Sequence, residues 1–276
     1  MAGNPVGSHV DVAGGLASQG LAYAGDLGAE AIQVFVSNPR AWSPPLTEAA
    51  EEQSMAAQAG LPVFVHAPYL VNLGSGDEQT AALSAETVRL TLDRAARIGA
   101  RGVVVHAGSA SGRDRESALR QVAGLLLPLL DKLGQDDPGV LIEPMAGAGS
   151  GLAGRMSDLG PYLEALGWHP RAGVCLDTCH AFAAGHDLTA PGGVAATLTE
   201  LELAVGPGRV RLVHANDSGH PCGSRRDRHA AIGAGFIGAE PFRDLLRHPL
   251  LAGVPFVVET PKAGQAGDVA LLKQLR

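Results

Sequence analysis

Eight short β-rich runs are spaced along the chain, near Val6–Val10, Ala31–Val36, Val63–Val65, Gly102–Val105, Val140–Ile142, Ala172–Leu176, Val210–Val213 and Phe256–Val258. Between them lie segments rich in Ala, Leu, Glu and Arg at helical spacing. Thr80–Ile98 is the plainest, with Leu83, Val88, Leu92, Ala95 and Ala96 on one stripe, and Glu116–Leu133 and Ser157–Leu166 follow the same pattern. Strand and helix alternating eight times in 276 residues point to a parallel sheet covered by helices. The expected fold is therefore α/β, a single-domain (β/α)8 TIM barrel over residues 1–276. Such barrels take about 250 residues as one domain, and no linker or composition shift divides the chain.

The residues that end these runs carry the chemistry. Runs three to eight end in His66, His106, Glu143, Asp177, His214 and Glu259, with successive separations of 40, 37, 34, 37 and 45 residues, and His9 lies near the end of the first run. In such a barrel the strand ends converge on the face where active sites sit. A single His or Glu there is ordinarily a solvated or hydrogen-bonded cap. Six at homologous places are different, because crowded carboxylates repel and burying them without a cation is costly. A metal site is expected, and mixed His/carboxylate donors suit zinc, manganese or iron.

Composition bounds the setting. With 46% apolar and 18% charged residues the chain is no disordered segment. Its most apolar stretch, Val122–Leu130, is too short to span a bilayer, and Met1–Val12 lacks the basic start and apolar core of a signal peptide, so a cytoplasmic enzyme is expected. Three cysteines, Cys175, Cys179 and Cys222, make a poor disulfide framework. Cys175 and Cys179 flank Asp177, but the second close pair of a structural thiolate–zinc site is absent, and buried, inert thiols are expected. The net charge of −7 argues against nucleic acid on composition alone. Yet 18 of the 21 basic residues are arginines, which suit bidentate phosphate recognition, and bound metal ions reverse a local field.

Longer segments carry a resemblance. Gly173-Val-Cys-Leu-Asp-Thr-Cys-His180 resembles a signature of the endonuclease IV family, the family-2 apurinic/apyrimidinic endonucleases or deoxyribonucleases IV. His66-Ala-Pro-Tyr-Leu-Val-Asn-Leu-Gly74 resembles a second, and His214-Ala-Asn-Asp-Ser-Gly-His-Pro-Cys-Gly-Ser-Arg-Arg-Asp-Arg-His229 a third. Looser similarity runs through Gly7–Gly15, Asn38–Trp42 and Ala181–Gly185, so the likeness spans nearly the whole chain.

The resemblance implies a DNA-repair hydrolase with three zinc ions, Mn2+ or Fe2+ being alternatives in one or more sites. It would cut duplex DNA 5′ to an abasic site, leaving a 3′-hydroxyl and a 5′-deoxyribose phosphate. By similarity His66, His106 and Glu143 hold one ion. Glu143 bridges to a second, completed by Asp177, His214 and Glu259, while His180, Asp227 and His229 hold the third. The bridged pair would supply hydroxide as nucleophile, with Glu143 and Glu259 as catalytic carboxylates and Glu259 helping to orient the attacking water. Three Zn2+ would bring the charge from −7 to about −1 and concentrate it where phosphate binds. Arg40, Tyr69 and Leu70 would insert into the base stack, although Tyr69 and Leu70 could simply cover the barrel end. Arg225, Arg226 and Arg228 would contact phosphates or pair with neighbouring carboxylates. A monomer without an obligate protein partner or membrane contact is expected, because the site must embrace a duplex.

Three departures stand out: Gly219 where the third signature usually has a basic residue, Pro144 and Met145 after Glu143, and the acidic Ser75–Asp77 segment. None is expected to touch a predicted ligand. Two rival functions remain. A divalent-metal sugar isomerase or epimerase of the xylose-isomerase-like barrels would need one or two ions, leaving His180, Asp227 and His229 without a role. A barrel that binds damaged DNA without cutting it would not need the full ligand set.

Overall fold

The computed structural model describes residues 3–12, 15–42, 49–57 and 60–276, so Ala13 and Gly14 of the first similar segment lie outside the described residues. Eight parallel strands close into a barrel: β1 (Val6–His9), β2 (Ile32–Val34), β3 (Val63–His66), β4 (Gly102–His106), β5 (Gly139–Glu143), β6 (Ala172–Asp177), β7 (Val210–His214) and β8 (Phe256–Val258). Each pairs with its neighbours in chain order. The ring closes through Val6↔Phe256, Gly7↔Val257 and Ser8↔Val258. A Cβ on Gly7 would lie 1.6 Å from the Ala31 carbonyl oxygen, so the close approach of the barrel wall at this point requires glycine.

Strand alternation sorts the side chains into two apolar layers. Ala31, Phe64, Val104, Leu141, Cys175, Leu212 and Val257 fill the barrel interior. Their chain neighbours, among them Val65, Val103, Val140, Val174 and Val213, face outward and pack with helical residues such as Val88, Leu92, Leu126 and Leu198. Because the period of a strand is two, each residue two places beyond an interior apolar one also points inward, at the C-terminal mouth. Those residues are Gln33, His66, His106, Glu143, Asp177, His214 and Glu259.

The helices α1 (Gly20–Asp26), α2 (Ala49–Ala56), α3 (Glu78–Arg97), α4 (Arg115–Leu130), α5 (Leu159–Ala165), α6 (Thr178–Ala183), α7 (Gly193–Val205), α8 (Glu240–Arg247) and α9 (Gln265–Leu275) belong to the connections and the C-terminal segment. Asp77 caps α3 by accepting from the Thr80 N–H at 2.8 Å, and Asp114 does the same for α4 with Ser117. The expected helix at Ser157–Leu166 divides into a 3-10 turn, Met156–Asp158, followed by α5. A two-stranded antiparallel ribbon after β7, Asp217–Ser218 against His229–Ala230, stands outside the eight expected runs. The chain ends are tied together: Arg276 donates to the Asn4 carbonyl at 2.8 Å and to both Glu30 oxygens, and Glu30 also accepts from the Val6 N–H at 3.1 Å. Among the described residues no helix is long and apolar enough to cross a membrane.

Candidate metal centre

All nine sequence-identified donors meet at the C-terminal mouth. They form three groups, His66/His106/Glu143, Glu143/Asp177/His214/Glu259 and His180/Asp227/His229, and within each group the donor atoms lie within 4.8 Å of one another. Glu143 belongs to the first two. Its Oε2 is 3.2 Å from His66 Nε2 and 3.5 Å from His106 Nε2, while its Oε1 is 3.0 Å from His214 Nδ1. One carboxylate therefore faces two donor groups with separate oxygens. Five of the nine are the last residues of β3 to β7, and Glu259 directly follows β8. His180 comes from α6, whose first turn is fixed by Asp177: the Asp177 Oδ1 accepts from the His180 N–H at 2.7 Å. The ribbon supplies His229, with Asp227 in the loop just before it.

Hydrogen bonds behind the rings select which nitrogen faces inward. His66 Nδ1–H donates to the Ala67 carbonyl at 2.6 Å, His180 Nδ1–H to the Pro144 carbonyl at 3.0 Å, and His214 Nε2–H to Gln33 Oε1 at 2.8 Å. The Gln33 amide also donates to Glu259 Oε1 at 2.7 Å and lies 3.0 Å from His9 Nδ1, so His9 supports the centre through Gln33. Asn216 donates to Asp177 Oδ2 at 2.7 Å and to Glu259 Oε2 at 3.1 Å, and accepts from the Glu259 N–H at 2.8 Å. Sequence reasoning missed Gln33 and Asn216. The signal for Gln33 was present, as the inward polar residue two places after Ala31. Asn216 lies within the third similar segment, but no periodicity marks its role, which depends on the ends of two neighbouring strands meeting it.

Charge is balanced within the cluster. Burial alone would raise the Glu143 and Glu259 carboxyls, but the surrounding histidines hold Glu143 well below the usual range and Glu259 at about 2. Burial raises Asp177. Burial opposes protonation of His180 and His214, yet Asp177, Asp227 and Glu143 hold His180, and Cys175, Glu259 and Glu143 hold His214, well above the ordinary imidazole value, while the carboxylates around His229 hold it at about 9. A cation held by these donors would compete with those protons and release them. The residues fit a metal. Among the described residues His229 Nε2 is buried with no well-formed hydrogen bond, 3.2 Å from Asp227 Oδ1 and 3.7 Å from Asp177 Oδ2. The imidazole and carboxylate donors suit zinc, manganese or iron.

The thiol of Cys179 lies near Asp177 and His229. It donates to the Arg228 carbonyl at 3.6 Å, and burial, with the Asp177 charge, pushes it up to about 12. Cys175, in the barrel interior, is also pushed up to about 12 by burial. Both stay protonated at neutral pH, as inert thiols do.

The predicted DNA-contact residues surround this mouth. Arg40 is exposed in the turn after β2, and the Tyr69 N–H bonds to the Pro39 carbonyl at 3.0 Å, joining the loops after β2 and β3. The Tyr69 ring stacks on His106 at 6.0 Å and meets His66 edge-on at 5.6 Å, yet is 49% exposed, and Leu70 beside it is 37% exposed. Tyr69 thus covers the centre and still presents a face to solvent. Arg225, Arg226 and Arg228 are exposed and form no ion pair among the described residues. Pairing with nearby carboxylates is therefore not what holds them.

Two departures touch the site after all. Pro144 supplies the carbonyl that fixes the His180 ring, because the chain leaving β5 turns across the mouth. A Cβ on Gly219 would lie 3.1 Å from Arg228 Cγ, so glycine leaves room for the Arg228 stem, and the Gly219 N–H bonds to the Arg228 carbonyl at 2.8 Å. The Ser75–Asp77 segment forms the cap of α3.

Comparison with known proteins places this architecture. The xylose isomerase-like TIM barrel family matches residues 21–275. A Streptomyces avermitilis protein named "Probable endonuclease 4" is 55% identical over 99% of this chain and 90% of its own length. The crystal structure of endonuclease IV from Thermus thermophilus superposes with a TM-score of 0.86 at 33% identity, covering 98% of both chains. An E. coli 3-keto-D-glucoside 4-epimerase, at 15% identity and a TM-score of 0.71 over 98% of this chain and 99% of its own, shares the fold alone. Identity along almost the whole length, together with the matched barrel, shows that the chain belongs to the endonuclease IV family of xylose isomerase-like TIM barrels.

Proposed function

We propose that this protein is a DNA-repair endonuclease that hydrolyses the phosphodiester bond 5′ to an abasic site in duplex DNA, leaving a 3′-hydroxyl and a 5′-deoxyribose phosphate. The observation that carries this reading is the division of nine donors into three groups, two of them sharing Glu143, beside arginines that form no ion pair among the described residues and an exposed Tyr69–Leu70 edge. His66, His106 and Glu143 would hold one Zn2+, Glu143, Asp177, His214 and Glu259 a second, and His180, Asp227 and His229 a third. Mn2+ or Fe2+ in one or more positions also satisfies the donors. Bound there, the metals supply a water activated near neutral pH and positive charge for the leaving oxygen.

The remaining work belongs to the protein. Glu259, clamped by Gln33 and Asn216, orients the attacking water. Arg225, Arg226 and Arg228 position the backbone without reading sequence. An enzyme acting at such a lesion extrudes the nucleotide, and Arg40, Tyr69 and Leu70 fill the vacated stack. A sugar isomerase would use one or two of the donor groups and leave the third, with its flanking arginines, without a role.

The test is cleavage of a short duplex bearing one synthetic abasic site, before and after prolonged chelation. Incision 5′ to the lesion, lost on metal removal and restored by zinc, is expected. No incision by protein verified to hold three metals would overturn the DNA reading. No incision with only one or two metals bound would favour the isomerase.

A further inference from the structure

Beyond the residues assigned so far, the loop between the ribbon and α8 is built around a single carboxylate. Asp217 is fully buried and accepts from five backbone N–H groups: Ser218 at 2.7 Å, Gly233 at 2.9 Å, Gly235 at 3.0 Å, Ile237 at 2.8 Å and Gly238 at 3.1 Å. A Cβ on Gly235 would lie 2.4 Å from the Ser218 carbonyl oxygen and 2.5 Å from Asp217 Oδ1, so the loop closes on its anchor only with glycine there. The Ile232 N–H is held by Asp268 at 2.8 Å from the α9 side. Ile232 and Ile237 are buried, but Phe236 between them is 56% exposed, more than Tyr69, Trp168 or Trp42. A loop fixed by this many bonds presents its one aromatic ring to solvent in a preset position, and so meets a ligand at little ordering cost.

Its neighbours say what that ligand is. The Phe236 N–H bonds to the Ser218 carbonyl at 2.8 Å, and Ser218 pairs across the ribbon with His229 of the third donor group. Two such backbone spacings put Phe236 roughly 10 Å from His229, about three nucleotide steps along a strand. Arg225, Arg226 and Arg228 precede the same ribbon strand. Resting on the endonuclease reading above, we infer that Phe236 packs against the bases or deoxyriboses of the duplex flanking the lesion, forming a sequence-tolerant apolar contact beside the phosphate-binding arginines. Such stacking suits an enzyme that must hold any sequence around the lesion.

The experiment compares wild type, Phe236→Ala and Phe236→Trp on the abasic duplex, with thermal melting as the check on folding. Phe236→Ala raises KM roughly tenfold with kcat unchanged, and lowers duplex affinity without altering its slope against salt concentration, because no phosphate contact is lost. Phe236→Trp restores KM, and the added indole fluorescence, taken against wild type, shifts on duplex binding. An unchanged KM in Phe236→Ala, or a fall in kcat at constant KM, overturns the assignment. Failure of wild type to incise would instead remove the endonuclease reading on which it rests, and the two failures are told apart by the wild-type lane.

Discussion

At the scale of single residues, Glu143 and Gln33 separate joining two donor groups from aiming the donors. Glu143 offers one oxygen to each of two donor groups, and no neutral side chain of its size does that. Glu143→Gln is expected to lower incision by orders of magnitude while the circular dichroism of the barrel is retained; near-normal activity in a zinc-replete assay would contradict the bridging role. Gln33 touches the centre only through Glu259, His214 and His9. Removing such a supporting bond typically weakens metal binding by about 10- to 100-fold. Gln33→Leu should therefore show that loss in a chelator competition and recover incision in excess zinc, whereas Glu143→Gln should not recover. The strand ends made six of the donor positions readable, but which nitrogen of the His180 and His214 rings faces the centre depends on a carbonyl and an amide from other strands.

At the scale of elements, strand identity was readable and strand termini nearly so. The strands expected to end in His66, His106, Glu143, Asp177 and His214 do end there, because backbone pairing continues one position beyond the last apolar side chain, whereas the last barrel strand stops at Val258, one residue short of Glu259. The ribbon escaped notice. Two-residue strands bury too little to leave a hydrophobic pattern, and this one exists because Asp217 gathers the loop around it. Asp217→Asn replaces one acceptor oxygen with an N–H2 group facing N–H donors in a buried site. A cost of about 2–4 kcal/mol is expected, which for a protein of this size lowers the melting temperature by about 5–10 °C. An unchanged melting temperature would show that the loop does not depend on that carboxylate.

At the scale of the whole molecule, barrel closure brings residues near both ends of the chain together, and Glu30 with Arg276 fastens the seam. Burial alone would raise the Glu30 carboxyl, but the Arg276 guanidinium and the Val6 N–H hold it below its ordinary value. A carboxyl depressed by folding contributes stability above its unfolded pKa, about 4.3, and loses that contribution as pH falls through the lower folded value. Glu30→Gln should thus melt below wild type at pH 7, and the difference should shrink once the pH drops below about 4; a difference that stays constant or widens in acid would contradict the clamp. The sequence by itself determined the eight alternating units, the parallel barrel they require and the metal-competent side chains at its mouth, since a period of two and the cost of burying apolar surface are local properties of the chain. Only the tertiary structure decided which ring nitrogens of His180 and His214 face the centre, that Gln33 and Asn216 aim the donors, and that Asp217 presents Phe236 beside them. Each depends on hydrogen bonds between residues tens to hundreds of positions apart, and no local pattern encodes such a bond until closure of the barrel makes the partners neighbours.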